Sequence, residues 1–401
     1  MNKNKRKILN PKYRFSKFNN KWEYCGLGSI ANKVTKKNTL GKITRVLTNS
    51  ASEGIVDQGD YFERTIVNQN NIKNYFIIKQ GDFVYNPRIS SIAPVGPISR
   101  NNIGDGIISP LYTVFRFNNK NNNFYEQYYK TSLWHKYLKE ISNQGARFDR
   151  MSILDEDFFN MPIPYNKDSE ELQEIANSII SIDNLILLEE EKLEELKSHK
   201  NGLLQKLFPQ DNKCMPELRF KRYNQKWEKM TFDNLLDYER PEKYIVESTN
   251  YESSGTPVLT ANKAFILGYS SEKFGIYKNV PVILFDDFTT DKKFVDFPFK
   301  VKSSAIKILK PKGQNNLKFI FELMNNTKFT FTEHKRYYIS TYKNIAIYAT
   351  KNKQEQQKIA ECLSSIDDLI SAQAEKIEAL KQHKKGLLQG LFPSIEEVEN
   401  E

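Results

Sequence analysis

The stretch QEIANSIISIDNLILLEEEKLEELKSHKNGLLQKLFP, residues 173–209, occurs a second time at 357–393 as QKIAECLSSIDDLISAQAEKIEALKQHKKGLLQGLFP. The two align without a gap, and 22 of 37 positions are identical. A shorter pair precedes them, PKYRFSKFNNKWE at 11–23 and PELRFKRYNQKWE at 216–228, with 7 of 13 identical. Between these landmarks the halves differ. The 401-residue chain is therefore a variable unit followed by a shared segment, twice over, and such a repeat sets the architecture before any local signal is weighed.

The shared segment predicts a long helix. Its apolar residues step by three and four: Leu172, Ile175, Ile179, Ile182, Ile186, Leu193, Leu196, Leu203 and Leu207 in the first copy. The second copy runs Ile359, Leu363, Ile366, Ile370, Ile377, Leu380, Leu387 and Leu391. This is a coiled-coil seam over about five heptads, on helices roughly 50 Å long at about 1.5 Å per residue. Asp168 with Glu171, and Asn352 with Glu355, are spaced for capping boxes, and Pro209 and Pro393 stop the helices. The seam is broken at Glu189 or Gln373 and at Lys200 or Lys384. Such polar residues either fix register and pairing or face solvent where the helices diverge.

The variable units read differently. Runs such as YFIIKQGDFVYNP (75–87) and NVPVILFDDF (279–288) are short, aromatic and β-branched, between Asn and Gly turns. Helices are expected around 124–142 and 315–326. The fold class is α+β: two globular mixed α/β domains, 1–167 and 210–350, joined by two long helices, 168–209 and 351–393. These form an antiparallel coiled coil with an internal pseudo-two-fold repeat. An acidic, disordered tail, 394–401, follows.

With 39% hydrophobic and 27% charged residues, the composition is that of a soluble globular protein. No stretch approaches the roughly 20 apolar residues of a membrane helix. The basic start, Met1 to Lys7, lacks a following apolar region, which argues against a secretory signal. Cys25, Cys214 and Cys362 lie far apart, which suits a reducing cytoplasm. The net charge of +11 is uneven: 25 basic and 10 acidic residues in 1–150 give +15, and the following blocks, 151–209, 210–350 and 351–401, carry −8, +7 and −3. The basic blocks coincide with the variable units and suit a polyanion, nucleic acid first; a solvated surface without a ligand is the alternative.

Motifs for chemistry are mostly absent. The sequence has no GxxxxGK[ST] phosphate loop, no HExxH and no [DNS]PP[YFW] target-base tetrapeptide, which Asn86-Pro87-Arg88 does not satisfy. Gly26-Leu27-Gly28-Ser29-Ile30-Ala31 imitates a dinucleotide loop, but the twin positions are Thr231, Asp233 and Leu236, so it reads as a turn entering a helix. Asp286 and Asp287 with Lys292 imitate a nuclease site, yet the first half has no counterpart. His135, His199, His334 and His383 do not cluster with cysteines, and no metal site is expected. What remains is a binding scaffold, with no catalytic residue, whose basic, Asn-, Ser- and Thr-rich loops offer phosphate contacts and base-edge partners. In the first unit the candidates are Lys33, Lys36, Lys37, Tyr85, Arg88, Ser90, Ser91, Arg147 and Arg150. In the second they are Thr289, Thr290, Lys292, Lys293, Lys300, Lys302 and Arg336.

These landmarks resemble the specificity subunit of type I restriction-modification systems. The carrying motifs are PxxRFxxxNxKWE at 11–23 and 216–228, the QxIAxxLSSID-like runs at 173–183 and 357–367, and KxHKxGLLQxLFP at 197–209 and 381–393. The resemblance implies two target recognition domains, each reading one half of a bipartite site in double-stranded DNA. It implies that the helices set the distance between the half-sites and dock two adenine methyltransferase subunits, with motor-nuclease subunits completing the complex. The subunit itself would be non-catalytic and cytoplasmic, without a membrane partner, and S-adenosylmethionine, ATP and Mg²⁺ would belong to its partners. The alternatives are a self-contained DNA-modifying or DNA-cleaving enzyme and a coiled-coil protein scaffold without DNA specificity. The second helix departs in carrying Gln373 and Ala374 for Glu189 and Glu190, so the two seams are not equivalent.

Overall fold

In a computed structural model, the described residues are 6–61, 72–142, 149–210, 213–262, 264–330 and 336–397. They fall into two compact units, Met1–Leu188 with Ile377–Glu401, and Glu189–Lys376. The two long helices, Ser169–Leu207 and Lys353–Gly390, therefore each contribute a part to either unit. Every predicted seam position is buried or half-buried, while residues on the opposite face, such as Asn177, Asn184 and Glu191, are exposed. That division is what a 3.6-residue period with one apolar stripe produces.

In the first unit, four antiparallel strands lie in the order Ala31–Lys33, Thr113–Phe117, Phe83–Tyr85, Ile98–Arg100. A second sheet runs Gly54–Asp57, Val46–Ser50, Gly106–Ile108, Phe76–Ile78, with one parallel pairing between Val46–Leu47 and Ile107–Ile108. In the second unit, four antiparallel strands lie in the order Leu236–Glu239, Ile306–Pro311, Val282–Asp286, Lys292–Val295. Beside them are Ile266–Ser270, Thr256–Leu259 and Lys300–Val301, the last two parallel. Helices follow Thr113–Phe117 in the first unit, Asn122–Tyr129 and His135–Ile141, and Ile306–Pro311 in the second, Leu317–Asn326. The glycine-rich run is a single helical turn, Leu27–Ile30, leading straight into a strand. Its twin, Phe232–Leu235, keeps the turn with a Thr231–Asn234 capping box in place of glycines.

The shorter repeat meets the long helices at a buried carboxylate. The Asp168 side chain accepts from the Glu171 N–H at 3.3 Å, and Asn352 from the Glu355 N–H at 3.1 Å. Neither Glu returns to its cap as the box requires. Glu171 instead accepts from Arg14 at 2.7 and 2.8 Å, Trp22 Nε1 at 3.3 Å and Asn166 at 2.7 Å. Glu355 accepts from Arg219 at 2.6 and 2.9 Å, Trp227 Nε1 at 3.4 Å and Thr350 at 2.7 Å. The Trp ring then packs the core. Trp22 stacks on Phe124, which meets Phe392 at 5.2 Å, while Trp227 meets Phe319 and Phe208 edge-on. Such pairs contribute about 0.5–1.5 kcal/mol each beyond their buried area.

The tail is not wholly irregular. Ser394–Glu397 forms a strand antiparallel to Arg6–Leu9, because the backbone beyond Pro393 finds an unpaired edge within the same unit. Among the described residues, no helix is long and apolar enough to cross a membrane, and no group of three His, Cys, Asp or Glu residues is placed to hold a metal ion.

Candidate nucleic-acid interface

In each unit the loop leaving a central strand is paired with a segment that returns from the helical side of the domain. In the first unit the loop is 86–97. Asn86 turns it, its side-chain oxygen accepting from Arg88 N at 3.0 Å, and Ser90 closes it, accepting from Ala93 N at 3.1 Å. Gly96 has φ +79°, and a Cβ there would lie 2.1 Å from the Asn86 carbonyl oxygen, so only glycine fits. The loop is tied to the returning segment by Ile89 N–H to Asp149 O at 3.0 Å and Met151 N–H to Pro87 O at 2.9 Å. Arg88 and Arg150 are thereby brought directly opposite each other in an antiparallel bridge.

Like charges facing across a bridge destabilise it. Arg150 has Asp149 at 3.7 Å, an ion pair beyond hydrogen-bonding distance. Arg88, Ser90 and Ser91 are exposed. The arrangement is one that an anion relieves.

The second unit builds the same construction from other residues. Asp286 accepts from Phe288 N at 2.9 Å and Thr289 N at 3.0 Å, and Thr290 takes up φ +59° to close the turn. Asp287 is buried, ion-paired to buried Lys307 at 2.9 Å. Its backbone carbonyl and its carboxylate accept from Tyr337 N and Tyr338 N, both at 2.8 Å. Both carboxylates of the apparent nuclease pair are thus committed to holding the loop. Arg336 lies on this returning segment, exposed, with its guanidinium 5.8 Å from the Phe288 ring and a donor 3.3 Å from Ser304 Oγ. Thr289 is exposed at the tip, while Thr290 is buried. Lys292 and Lys293 are half-buried, their ammonium groups 5.7 Å from the Tyr342 ring and 5.9 Å from the Phe265 ring. Burial pulls the Lys292 pKa below its ordinary value, against the charge of Asp291.

The remaining candidates lie elsewhere. Lys36 and Lys37 are exposed beside the strand that begins at Phe76, and Lys33 is ion-paired with Asp155. Lys302 is exposed on its own loop. Arg147 lies outside the described residues. Three candidates are corrected: Thr290, buried where it closes its turn, Tyr85 and Lys300. Tyr85 is 2% exposed, stacked on Phe158, with its hydroxyl donating to Val95 O at 2.9 Å. Lys300 has no exposed surface; its ammonium meets Glu272 at 2.7 Å and donates to Phe274 O at 2.8 Å. Both are core groups, because a strand-end aromatic is worth more buried than wet and a lysine is buried only when paired.

Facing residues of the helices pair within each unit. In the second, Gln373 donates to the Glu189 carboxylate at 2.6 Å and to its carbonyl at 2.9 Å, and Lys376 reaches the same carboxylate at 2.6 Å. Further along, Lys200 meets Asp367 at 2.7 Å and Glu322 at 3.2 Å. In the first unit, Lys384 pairs with Asp183. Lys200 and Lys384, like Asp367 and Asp183, are equivalent positions of the repeat.

No protein-family model matches the chain. Over 161 residues it is 42% identical to the type I restriction enzyme EcoR124I/EcoR124II specificity subunit of Escherichia coli, a match covering 38% of this chain and only 40% of that protein. It is 24% identical, over 90% of its length and 89% of the relative's, to the putative type I restriction enzyme MjaX specificity subunit of Methanocaldococcus jannaschii. Among solved structures it is similar to the S subunit of a type I restriction-modification system from M. genitalium, with a TM-score of 0.58 at 13% identity, covering 96% of this chain and 100% of that one. A chain from a study of assembly and conformational transition of the type I system matches with a TM-score of 0.57 at 15% identity, over 94% and 99% of the two chains. The resemblance to type I specificity subunits thus holds in sequence, and the mixed α/β fold with two long helices is theirs.

Proposed function

We propose that this chain is the DNA-recognition subunit of a type I restriction-modification complex, each variable unit reading one half of an asymmetric bipartite site. The observation that carries this is the contrast within the chain. Helices 22 of 37 residues identical offer the same surface twice, as docking two identical methyltransferase subunits requires. Two basic units of differing sequence offer different surfaces, as reading unlike half-sites requires. The subunit binds and positions; methyl transfer, ATP hydrolysis and cleavage, with S-adenosylmethionine, ATP and Mg²⁺, belong to methyltransferase and motor-nuclease partners. On this reading the protein works in the cytoplasm.

The helices act as an antiparallel coiled coil that sets the spacer. In support, as the first helix advances from Glu189 to Lys200 within the second unit, its partner falls back from Gln373 to Asp367. The recognition surface of each unit is the loop with its returning segment: Arg88, Ser90, Ser91 and Arg150 in one, Thr289, Lys292, Lys293 and Arg336 in the other. Exposed Lys36, Lys37 and Lys302 add phosphate contacts.

Modification-sensitive sequencing of the host genome, with the gene intact and deleted, tests the reading. A split, asymmetric N6-methyladenine motif should vanish on deletion. An unchanged methylation pattern, together with no salt-dependent DNA affinity of the purified chain, sinks it.

A further inference from the structure

Resting on that reading, we propose that a cleft in the first unit reads one base of its half-site through the exocyclic amino group that adenine and cytosine present in the major groove. The cleft has a volume of about 460 Å³, and its lining includes Asn49, Gln58, Tyr75, Tyr112, Arg88 and Arg150. Three of its polar atoms are shut off from water and, among the described residues, have no hydrogen-bond partner: Asn49 Oδ1, Gln58 Oε1 and Arg150 Nε. Buried polar atoms in native proteins are rarely left so, and three on one cleft mark a place where a ligand completes the bonding.

Asn49 is the most constrained of the three. It is 2% exposed, and its amide nitrogen donates to Val84 O at 2.8 Å and Pro97 O at 3.2 Å. Those bonds fix which end of the amide is which and leave the carbonyl oxygen unused. Asn86, which turns the loop carrying Arg88, donates to the Asn49 backbone oxygen at 2.9 Å. The cleft and the arginine pair are therefore one construction.

The chemistry of the three atoms selects the ligand. Two carbonyl oxygens require donors. In the major groove adenine offers its N6 amino group and cytosine its N4 amino group, whereas guanine and thymine offer no donor, so each base pair presents one such group on one strand. The Arg150 Nε–H donor suits an acceptor beside that amino group, such as adenine N7. The rim carries Arg88 and Arg150 and no lining carboxylate, which matches a base delivered on a phosphate backbone.

The test replaces the chromosomal gene by variants and reads the methylated motif genome-wide. For Gln58→Leu, one base pair of one half-site should become degenerate. Methylation of sites changed at that position should rise roughly five- to 150-fold, the range set by one well-formed base contact. The other half-site and the spacer should stay as they were. Gln58→Glu, which keeps an acceptor, should retain the parent motif, and Arg150→Gln should relax the same position. Relaxation of an A·T pair assigns the contact to adenine and relaxation of a G·C pair to cytosine.

Motifs identical to the parent in both Gln58→Leu and Arg150→Gln, or relaxation of different base pairs by the two variants, overturn the assignment while leaving the recognition role intact. A motif that never depended on the gene overturns the role itself. Loss of both half-sites with an unchanged melting temperature also overturns the assignment, since the cleft would then serve the whole complex rather than one base. Should Arg150→Gln melt early, Arg150→Lys, which keeps the charge and removes Nε, decides.

Discussion

Glu171 and Glu355 show what a single residue does in this chain. Each is a carboxylate without exposed surface, three residues into a long helix, satisfied by an arginine and a tryptophan that lie far away in sequence. Removing one partner of such a pair leaves a buried charge and costs about 3–5 kcal/mol. Arg219→Met should therefore lower unfolding free energy by about that much in denaturant titrations. Adding Glu355→Leu should recover part of the loss. Both motifs were legible because each occurs twice, and so were the caps, but not the pairing between motifs. Arg14 and Glu171 are 157 residues apart, and only the folding of the strands and helices between them brings the two together. Tyr85 and Lys300 fail for a related reason. Residue type says that a group can bind DNA, not whether the local strand points it outward. At the surface, Arg88→Ala should weaken DNA binding about equally for all sequences. It should also reduce the slope of log affinity against log salt by about one, measured by fluorescence anisotropy across a salt series.

At the scale of elements, the long helices were plain from the repeat, and the polar interruptions were where the sequence left two readings. Glu189 and Gln373 are buried and bonded to each other. They do not stand where the helices part. The Gln373 amide first, and then the Lys376 ammonium, hold the Glu189 carboxyl below its ordinary pKa. A carboxyl lowered on folding adds stability that is complete above its unfolded pKa, about 4.3, and lost as pH falls through the folded value. Glu189→Gln should thus melt below the parent near pH 7, and the gap should close as pH approaches 3. Gln373→Glu should also fall furthest below the parent near neutrality, where two carboxylates face each other, but its own melting temperature should rise in acid, whereas Glu189→Gln removes this contribution to the pH slope. Melting temperatures across pH 3 to 7 distinguish the two slopes. The loop pairings, Arg88 with Arg150 and Asp287 with Tyr337, were not legible, because the contact depends on where a helix ends rather than on any local pattern.

For the whole molecule, the proposed role makes helix length a measure of distance along DNA. Four residues inserted at matching positions of both helices add about 6 Å, close to two base-pair rises of about 3.4 Å. The methylated motif should keep both half-sites and gain spacer; a motif with the parent spacer contradicts the prediction. The division of the chain has a further consequence in time. The second unit is continuous, 189–376, whereas the first takes Phe392 and the strand Ser394–Glu397 from the far end. At about 5–20 residues per second, the unit whose residues leave the ribosome first waits tens of seconds for the ring that closes on Phe124 and Tyr128. The half begun first is completed last, so a message truncated shortly after residue 376 would release a protein with one sealed core and one open one.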